Sequence, residues 1–540
     1  MRCSVCAAVG SMLLMIGALV SANVESDPDT CLVRLTLADA ATGAPLPGLI
    51  RVRTADGEIV PLDGLLPRGQ GLPEGEGDAI RQWWALVEPS AVRLPRAVLE
   101  FAAFSGLETE TAMQTVDLQE QSKADVALRL RRFSDARKAG LQNANTHVHV
   151  NKITRAESDR YLIESAIADG LDLVFVSYLE RAEADIDYTS NTYSRSDLHA
   201  LNTGRVQFDN GEEHRHNFAA QGQGYGHVML LSIPELVYPV SIGPGISKTG
   251  SDGIPLRRGI ERAHEIGGTV IWCHNDWGLE DVPNWLAGRL HANNIFDGGT
   301  HGSYEHSFYR YWNAGIRVPM STGTDWFIYD FNRVYVPAPG RITPEQWLDR
   351  LAAGRSFITN GPLLEFEVDG RGIGEALPLD AARSVSVKGR AVGRVDFQRL
   401  ELVRNGNVVK SLVSKPQGRH FAAELDVTLD IDAPCWIALR TPPPFAPDDP
   451  RFASRTPENE YGRELFSHTS ATFIDVGGRR VFDVEAGRAL LEDMQQARPF
   501  ITQAGLFADE LEQRTVLSVY DEGIAVMQTR IAASDSSPKH

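Results

Sequence analysis

The chain is poor in cysteine. It has 5 cysteines in 540 residues: Cys3 and Cys6 lie near the start, and Cys31, Cys273 and Cys435 are far apart. Disulfide-rich scaffolds have many closely spaced cysteines, so this spacing excludes a disulfide framework. We therefore expect hydrophobic cores to hold the fold, in about two to four domains, because a single core does not grow to this chain length.

Basic residues are also in the minority. The chain has 53 lysines and arginines against 71 acidic residues, which gives a formal net charge of −18. A surface with this balance repels phosphate backbones, so we predict no nucleic-acid partner. The hydrophobic and charged fractions, 43% and 23%, are typical of a globular protein.

Long apolar runs are absent beyond the N-terminus. An apolar run over residues 7–20 follows Arg2 and ends at Ser21 and Ala22. This pattern predicts a signal peptide over residues 1–22, with an uncleaved anchor as the alternative. We expect an exported protein, periplasmic or extracellular, with no stable membrane insertion after signal removal. The sequence does not indicate an oligomeric state.

Residues 23–133 are predicted to be an N-terminal β-sandwich that serves as an accessory domain. Apolar and polar residues alternate over 32–37 and 48–53, with turn residues between them, and two further runs follow at 97–101 and 125–130.

The pattern changes after residue 134, where strand-like and helical stretches alternate as in parallel βα units. We predict helices over 157–169, 256–266, 304–313 and 344–353, and strands around 147, over 171–177, 226–233 and 269–274. Beyond residue 362, strand patterns return and predict a C-terminal β-sandwich over 363–480. A helical segment over 481–540, with a disordered end from 533, completes the chain.

Two histidines one residue apart give the first functional signal. In the stretch 145–151, His147 and His149 have the spacing that places both side chains on one face of a strand. Such a pair can hold one metal ion.

The remaining candidates cluster in the same region, since eleven of the 14 histidines lie between residues 147 and 325. Histidine, glutamate and aspartate are the ligands of Zn²⁺, Mn²⁺ and Fe. In βα folds the active groups gather at the C-terminal ends of strands. The predicted metal ligands are His147, His149, Glu213, His227, His274 and Asp325.

Each candidate has a structural alternative. His227 could be a hydrogen-bonded core histidine, Asp325 could cap a turn, and Glu213 could be a surface charge. Four histidines are assigned no site role, namely His199, His264, His291 and His306. Three stay undecided: His214, His216 and His301.

The order of these motifs resembles a known superfamily. Asn-Thr-His-Val-His, Gly-Glu-Glu, Gly-His-Val, Val-Ile-Trp-Cys-His-Asn and Gly-Thr-Asp-Trp follow one another as in the polymerase-and-histidinol-phosphatase (PHP) metal-dependent hydrolases. The stretch 354–362, Gly-Arg-Ser-Phe-Ile-Thr-Asn-Gly-Pro, is similar to the CehA/McbA family within them. The resemblance covers residues 140–362 and implies an α/β fold, a distorted (β/α)7 PHP-like barrel flanked by the two β-sandwich modules.

The resemblance also implies residue roles. The first motif falls on His147 and His149, the bridging glutamate on Glu213, the next histidines on His227 and His274, and the late aspartate on Asp325. Two positions depart from the superfamily, because Ser177-Tyr178-Leu179 stands where Thr-Asp-His is usual, and Asp325-Trp326-Phe327 where Asp-x-His is usual. One or two divalent ions are therefore expected rather than three.

The expected function is metal-dependent hydrolysis, with activated water attacking an ester, carbamate or phosphoester bond. We assign catalytic roles to Glu213, His274 and Asp325, and a proton-shuttle role to His216, or alternatively His301.

The residues around the predicted ligands also suggest a substrate. Few cations lie near them, namely Arg215, Arg355 and Lys152, which favours an uncharged ester, amide or glycan-derived ester substrate. Trp277 and Trp326 could wall its pocket, whereas we favour core packing for Trp272. The alternative is a non-catalytic binding protein, for glycan or another partner, on a degenerate barrel.

Overall fold

The computed structural model describes residues 29–73, 79–181, 188–219, 221–247, 250–274, 278–299, 302–444 and 456–535. Its architecture is mixed α/β, with several sheets and helices. The predicted signal peptide, Trp277, His301 and the last five residues lie outside the described residues. No helix of the described residues is both long and apolar enough to cross a membrane.

Two sheets form the N-terminal region, with strand orders β5-β1-β8 and β3-β4-β2-β6-β7. Buried side chains of β1, β2, β6 and β8 form one core cluster. The strands are β1 (Thr30–Asp39), β2 (Gly48–Thr54), β3 (Leu66–Pro67), β4 (Trp84–Leu86), β5 (Ser90–Pro95), β6 (Val98–Phe104), β7 (Ala112–Asp117) and β8 (Lys123–Leu130).

The middle region alternates strands and helices as the sequence predicts. The strands are β9 (Leu141–His149), β10 (Leu173–Tyr178), β11 (Gln207–Phe218), β12 (Gln221–Leu231), β13 (Ser241–Ile242), β14 (Thr269–Trp272), β15 (Ala292–Asn294), β16 (Met320–Ser321), β17 (Asp325–Trp326), β18 (Arg333–Pro337) and β19 (Phe357–Thr359). The helices are α1 (Arg155–Asp169), α2 (Arg195–Ala200), α3 (Pro244–Ser247), α4 (Leu256–Glu265), α5 (Asp281–Leu286), α6 (Arg310–Asn313) and α7 (Pro344–Ala352).

Local sequence signals fix where these helices begin and end. Thr154 and Glu157 form a reciprocal capping box at the start of α1, and Gly170 ends it with φ 73°. A similar box of Thr343 and Gln346 begins α7. Helix α1 therefore starts two residues before the predicted position, because the cap rather than the apolar pattern sets its boundary.

The main sheet runs from β9 through β10, β11, β12, β14 and β15 to β16. It is not wholly parallel, because β12 pairs antiparallel with both β11 and β14. The prediction of parallel units was wrong for β12. Only two residues separate β11 from β12, and parallel strands need a crossover of a dozen or more. On the other edge of the sheet, β9 pairs with β17 and β18.

Apolar side chains cover both faces of this sheet. Leu173 and Phe175 of β10 enter one core cluster, whereas Val174 and Val176 enter another. Alternate residues of one strand thus pack on opposite sides, as expected for a sheet buried on both faces.

The C-terminal strands fall into two groups. The order β20-β22-β26-β25 forms a separate sheet, whereas β19 pairs with β28, so Phe357 lies opposite Thr469 and one ladder crosses the predicted boundary at residue 362. The strands are β20 (Leu363–Val368), β21 (Leu377–Leu379), β22 (Arg383–Gly393), β23 (Arg399–Arg404), β24 (Asn407–Val413), β25 (Lys415–Gln417), β26 (His420–Ile431), β27 (Cys435–Arg440), β28 (Ser467–Thr469) and β29 (Thr472–Val476).

Two long helices, α8 (Val484–Ala504) and α9 (Glu510–Asp535), complete the described chain. They pack on each other and on α5. Leu490 and Met494 of α8, with Val519 and Tyr520 of α9, belong to the core cluster of the main sheet. Helix α9 extends to Asp535, into the segment predicted to be disordered.

Candidate metal centre

The histidine pair lies at the C-terminal end of β9. His147 and His149 share one face of the strand, and both side chains are fully buried. Their Nε2 atoms are 3.0 Å apart. Gly323 passes so close that a Cβ on it would lie 2.5 Å from the His147 Cβ. The backbone after β16 is therefore pressed against the histidine pair.

Two carboxylates complete a first group around this pair. Asp325 Oδ1 lies 3.3 Å from His147 Nε2 and 3.6 Å from His149 Nε2. Glu213 Oε2 lies 3.0 Å from His149 Nε2 and 3.8 Å from His147 Nε2. One candidate ligand atom from each of these four buried residues lies within 4.8 Å of the others.

The other oxygen of Glu213 belongs to a second group. Glu213 Oε1 lies 3.2 Å from His227 Nδ1 and 3.6 Å from His274 Nε2. The buried thiol of Cys273 is within ligand distance of the same three side chains. Glu213 is thus shared by two groups, one on each carboxylate oxygen. This is the geometry that a carboxylate bridging two ions requires.

Each of the four imidazoles has an oxygen acceptor behind it. The Nδ1 atoms of His147 and His274 donate to the two oxygens of Asp297, at 3.0 and 3.3 Å. His149 Nδ1 donates to the Ser177 carbonyl at 2.9 Å, and His227 Nε2 to Asn217 Oδ1 at 3.3 Å. In the neutral rings, these bonds assign the proton to the nitrogen beside the acceptor and leave a lone pair on the second nitrogen. All four lone pairs face Glu213.

The fit to a metal ion can be tested on buried polar atoms. Glu213 Oε1, His227 Nδ1 and Asp325 Oδ1 make no hydrogen bond within the described part of the chain. Leaving such atoms unpaired costs about 1–3 kcal/mol each. The Nε2 atoms of His147 and His149, 3.0 Å apart, can face each other only with a proton or a metal ion between them. A divalent ion in each group would satisfy all of these atoms.

Charges in the site shift the pKa of its members. Burial alone would lower the pKa of His147, but Asp325, Asp297 and Glu213 outweigh burial and raise that pKa to about 9. Burial would raise the pKa of Glu213, yet Arg215 and the surrounding histidines hold it well below its ordinary range. For His227, burial and the charge of Arg215 lower the pKa to about 3. The site therefore favours the ionised form of Glu213.

Backbone conformation at two candidate ligands is strained. His274 and Asp325 have φ values of 65° and 59°, in the left-handed region that residues other than glycine rarely adopt. Gly298 has φ 64°, and a Cβ on it would lie 2.6 Å from Asp325 Oδ2. Strain of this kind persists where the surrounding structure holds it and is concentrated at functional sites.

All six predicted metal ligands come together, but His216 does not join them. It points away from Glu213, between Asp252 Oδ1 at 2.9 Å and the Tyr225 amide at 2.9 Å. With both ring nitrogens engaged, His216 is not in place to shuttle a proton at the centre. Its neighbour His214 binds Glu212 at 3.0 Å. Period-two alternation along β11 accounts for both placements.

The other predicted residues are spread over the fold. Arg215 lies 3.3 Å from Glu213 Oε1, whereas Arg355 pairs with Glu375 at 3.4 Å. Trp272 is fully buried in the core, as favoured from the sequence. Trp326 lies with its ring 5.6 Å from that of His149.

Sequence reasoning missed Asp297 and Cys273. Asp297 follows the short strand β15, so the rule that active groups lie at strand ends could have found it. Cys273 stands next to a predicted ligand. The Ser177 acceptor is a backbone carbonyl, which leaves no residue-type signal.

Comparison with known proteins adds no assignment. No family model, no curated protein and no solved structure matches this chain. The roles of these residues therefore depend on their geometry and chemistry.

Proposed function

We propose that the protein is an exported metal-dependent hydrolase of the PHP type, similar to the CehA/McbA family. On this proposal the main sheet is a distorted (β/α)7 barrel, and the flanking β modules are sandwiches. One observation carries it. Four buried imidazoles each have an oxygen acceptor behind them and aim their free nitrogens at the two oxygens of one glutamate.

The two groups assign the ligands. His147, His149, Asp325 and Glu213 Oε2 would hold one ion. Glu213 Oε1, His227 and His274, with Cys273 alongside, would hold a second. Imidazole and carboxylate ligands suit Zn²⁺, Mn²⁺ or Fe. Such ions supply Lewis acidity, which lowers the pKa of water toward about 7 and polarises the bond under attack.

The protein groups orient and accept protons. Asp297 holds His147 and His274 in place through one hydrogen bond to each of them. Asp325 Oδ2 faces Gly298, which lines the adjoining cavity, so this oxygen can take a proton from water entering from that side. Arg215 neutralises part of the charge on Glu213.

The cations near the centre bear on the bond that is cleaved. Phosphoester sites normally place several arginines or lysines at the metal. Among the three cations named from the sequence, only Arg215 touches a proposed ligand, and Arg355 is paired with Glu375. We therefore propose an uncharged scissile group, such as a carboxyl ester, carbamate or amide.

Elemental analysis of the purified protein tests the proposal, beside the double variant His147→Ala/His149→Ala. We expect at least one equivalent of Zn, Mn or Fe in the native protein and a clear loss in the variant. Both proteins are then screened on generic carboxyl esters and phosphoesters. A native protein that stays empty after reconstitution would contradict the proposal and favour a non-catalytic binding protein.

A further inference from the structure

A cavity of about 450 Å³ opens directly beside the metal centre. Thr324 and Trp326, the two neighbours of Asp325, line it, and so does Gly298, the neighbour of Asp297. The cavity is large enough for part of a small-molecule ligand. A molecule in this cavity would therefore lie against the residues that carry the proposed chemistry.

Three parts of the chain build the cavity wall. The middle region supplies most of it, including the aromatic rings of Phe296, Trp326 and Phe327. A loop of the N-terminal region, residues 71–73, forms another side, and Arg463 of the C-terminal region a third. The flanking modules are thus part of the site rather than distant accessories.

The N-terminal loop is held firmly in this position. Arg68 is fully buried and donates to Asp169 Oδ2 at 2.7 Å and to the Ile328 carbonyl at 2.8 Å. Arg81 donates to the Leu72 carbonyl at 2.8 Å. Buried ion pairs of this kind restrict geometry even where they add little stability.

A glycine allows the loop to approach the aromatic wall. Gly71 has φ 83°, and a Cβ on it would lie 2.5 Å from Phe327 Cζ and 2.9 Å from the Tyr329 hydroxyl. The Tyr329 hydroxyl donates to the Gln70 carbonyl at 2.9 Å. The loop and the segment that follows Asp325 therefore form one continuous surface.

The charges in the cavity favour an anion, although the whole chain is acidic. Lys152 and Arg463 line it, and Arg463 is close enough to Asp330 for its charge to oppose the rise in pKa that burial causes at that carboxyl. Asp330 also lines it, but its two oxygens already accept hydrogen bonds from Asn459 at 2.6 Å and Asn360 at 3.1 Å. Among the described lining residues, two cations therefore stand against one carboxylate.

We propose that this cavity binds the non-reacting part of the substrate, and that this part is an apolar body bearing a negative charge. The rings and the 71–73 loop would contact the apolar body, and Lys152 and Arg463 would bind the charge. The proposal rests on the proposed hydrolase function. It adds a substrate class and gives the flanking modules a direct role in specificity.

Three esters that differ only at the far end of the acyl chain test the charge preference. They are 4-nitrophenyl butyrate, the anionic mono-4-nitrophenyl glutarate, and the cationic 4-nitrophenyl ester of 4-(trimethylammonio)butyrate. We expect kcat/KM of the metal-loaded protein to be about tenfold higher for the anionic ester than for the neutral one. Equal values, or a preference for the cation, would overturn the inference and leave the hydrolase proposal standing.

Variants that remove the positive charges test whether Lys152 and Arg463 cause the preference for the anionic ester. Lys152→Gln and Arg463→Gln together should remove the tenfold advantage, so that the double variant has about the same kcat/KM for the anionic ester as for the neutral one. Lys410→Gln, on the exposed strand β24, is the matched control and should keep the advantage. An anionic preference that survives in the double variant would also count against the inference.

Binding without turnover separates the two proposals. Calorimetry with 5-phenylpentanoate, 5-phenylpentan-1-ol and 5-phenylpentylammonium measures the charge preference even if no ester is cleaved. We expect the carboxylate to bind about tenfold more tightly than the alcohol, and the double variant to lose that difference. Binding without hydrolysis would defeat the hydrolase proposal and leave the cavity as a binding site for an apolar anion, whereas hydrolysis without this preference would defeat the inference alone.

A bulky residue in the N-terminal loop tests the wall. Leu72→Trp should lower kcat/KM for mono-4-nitrophenyl glutarate about tenfold more than for 4-nitrophenyl acetate, whose acyl group is much shorter. Met113→Trp, on strand β7 and 52% exposed, is the control within the same module. Equal effects of the two substitutions would show that the loop does not contact substrate.

Discussion

Both faces of strand β11 lie beside glutamate and histidine side chains, but only one face takes part in the candidate metal centre. Glu213 points into the candidate metal centre, whereas Glu212 and His216 point the other way. Glu212 accepts from His214 Nδ1 at 3.0 Å and from the Val237 amide at 2.6 Å. Both of its oxygens are therefore satisfied by the fold itself.

The Glu213 face differs because atoms of three residues, Glu213 Oε1, His227 Nδ1 and Asp325 Oδ1, lack a hydrogen bond among the described residues, although His149 Nε2 lies within hydrogen-bond distance of Glu213 Oε2. Four imidazoles surround one carboxylate, and Glu213 Oε1 makes no hydrogen bond within the described residues. On the other face, His216 has a partner at each ring nitrogen, and His214 Nε2 is left without a hydrogen bond among the described residues. The comparison teaches that a buried histidine-carboxylate cluster indicates a ligand site where unsatisfied atoms of several residues converge, not where a single atom lacks a partner.

The largest expected effect comes from replacing one glutamate at a time, Glu213 on one face of β11 and Glu212 on the other, by glutamine. Glu213→Gln should lose bound metal and reduce kcat/KM by more than about 100-fold, because supporting residues alone cost roughly 10–100-fold. Glu212→Gln should keep the metal but lower the free energy of unfolding by about 1–3 kcal/mol, because one acceptor is lost. Metal analysis, kinetics and urea unfolding of both variants check this. A Glu213→Gln protein that still holds its full complement of metal would contradict the claim that Glu213 binds metal and Glu212 does not.

A smaller effect is expected from the aspartates that support the histidines. Asp297→Asn keeps the size of the side chain but weakens its hold on His147 and His274, so metal affinity should fall about 10–100-fold. Asp252→Asn acts on His216 and should leave metal affinity unchanged. Competition with a chelating dye measures both affinities. Similar losses in the two variants would mean that His216 also serves the metal centre.

The sequence was sufficient to select the six residues that converge in the candidate metal centre. Each predicted ligand stands in or beside a strand, and His149, His274 and Asp325 follow the rule that places active groups at strand ends. The helical pattern likewise predicted the starts of α1 and α7 to within two residues, and the capping boxes that set those starts join neighbouring residues. These features could be predicted because their cause is local.

Features with non-local causes could not be predicted. The direction of His216 depends on the register of β11, and a shift of one residue would exchange its two faces. The ladder between β19 and β28 joins residues more than a hundred positions apart. Asp297 shows the same limit, because only folding brings it between His147 and His274. Sequence patterns could identify the candidate residues, but which of them lie together depends on contacts that form only in the folded chain.

Metal addition should stabilise the protein through binding at the Glu213 face of β11, with no contribution from the face that carries His216. Saturation at about 100 times the dissociation constant adds about 2.7 kcal/mol to the free energy of unfolding, which raises the apparent Tm by a few degrees. His216→Gln should lower the starting Tm but keep the metal-dependent rise, whereas Glu213→Gln should abolish the rise. Scanning fluorimetry with and without chelator checks this. A rise that disappears in His216→Gln would contradict the separation.

The last expected effect concerns Glu280, a buried carboxylate that belongs to neither face. Burial raises its pKa from an ordinary 4.5 to about 7, although the amides of Leu256 and Arg257 at the start of α4 donate to it. Between these two pH values the folded protein binds more protons at Glu280 than the unfolded chain does. The contribution of Glu280 to stability therefore falls as pH rises, by up to about 1.4 kcal/mol per pH unit. Urea midpoints from pH 4.5 to 7 should decline more steeply in the native protein than in Glu280→Gln. Parallel declines would show that α4 compensates the buried charge, as His214 and Val237 compensate Glu212.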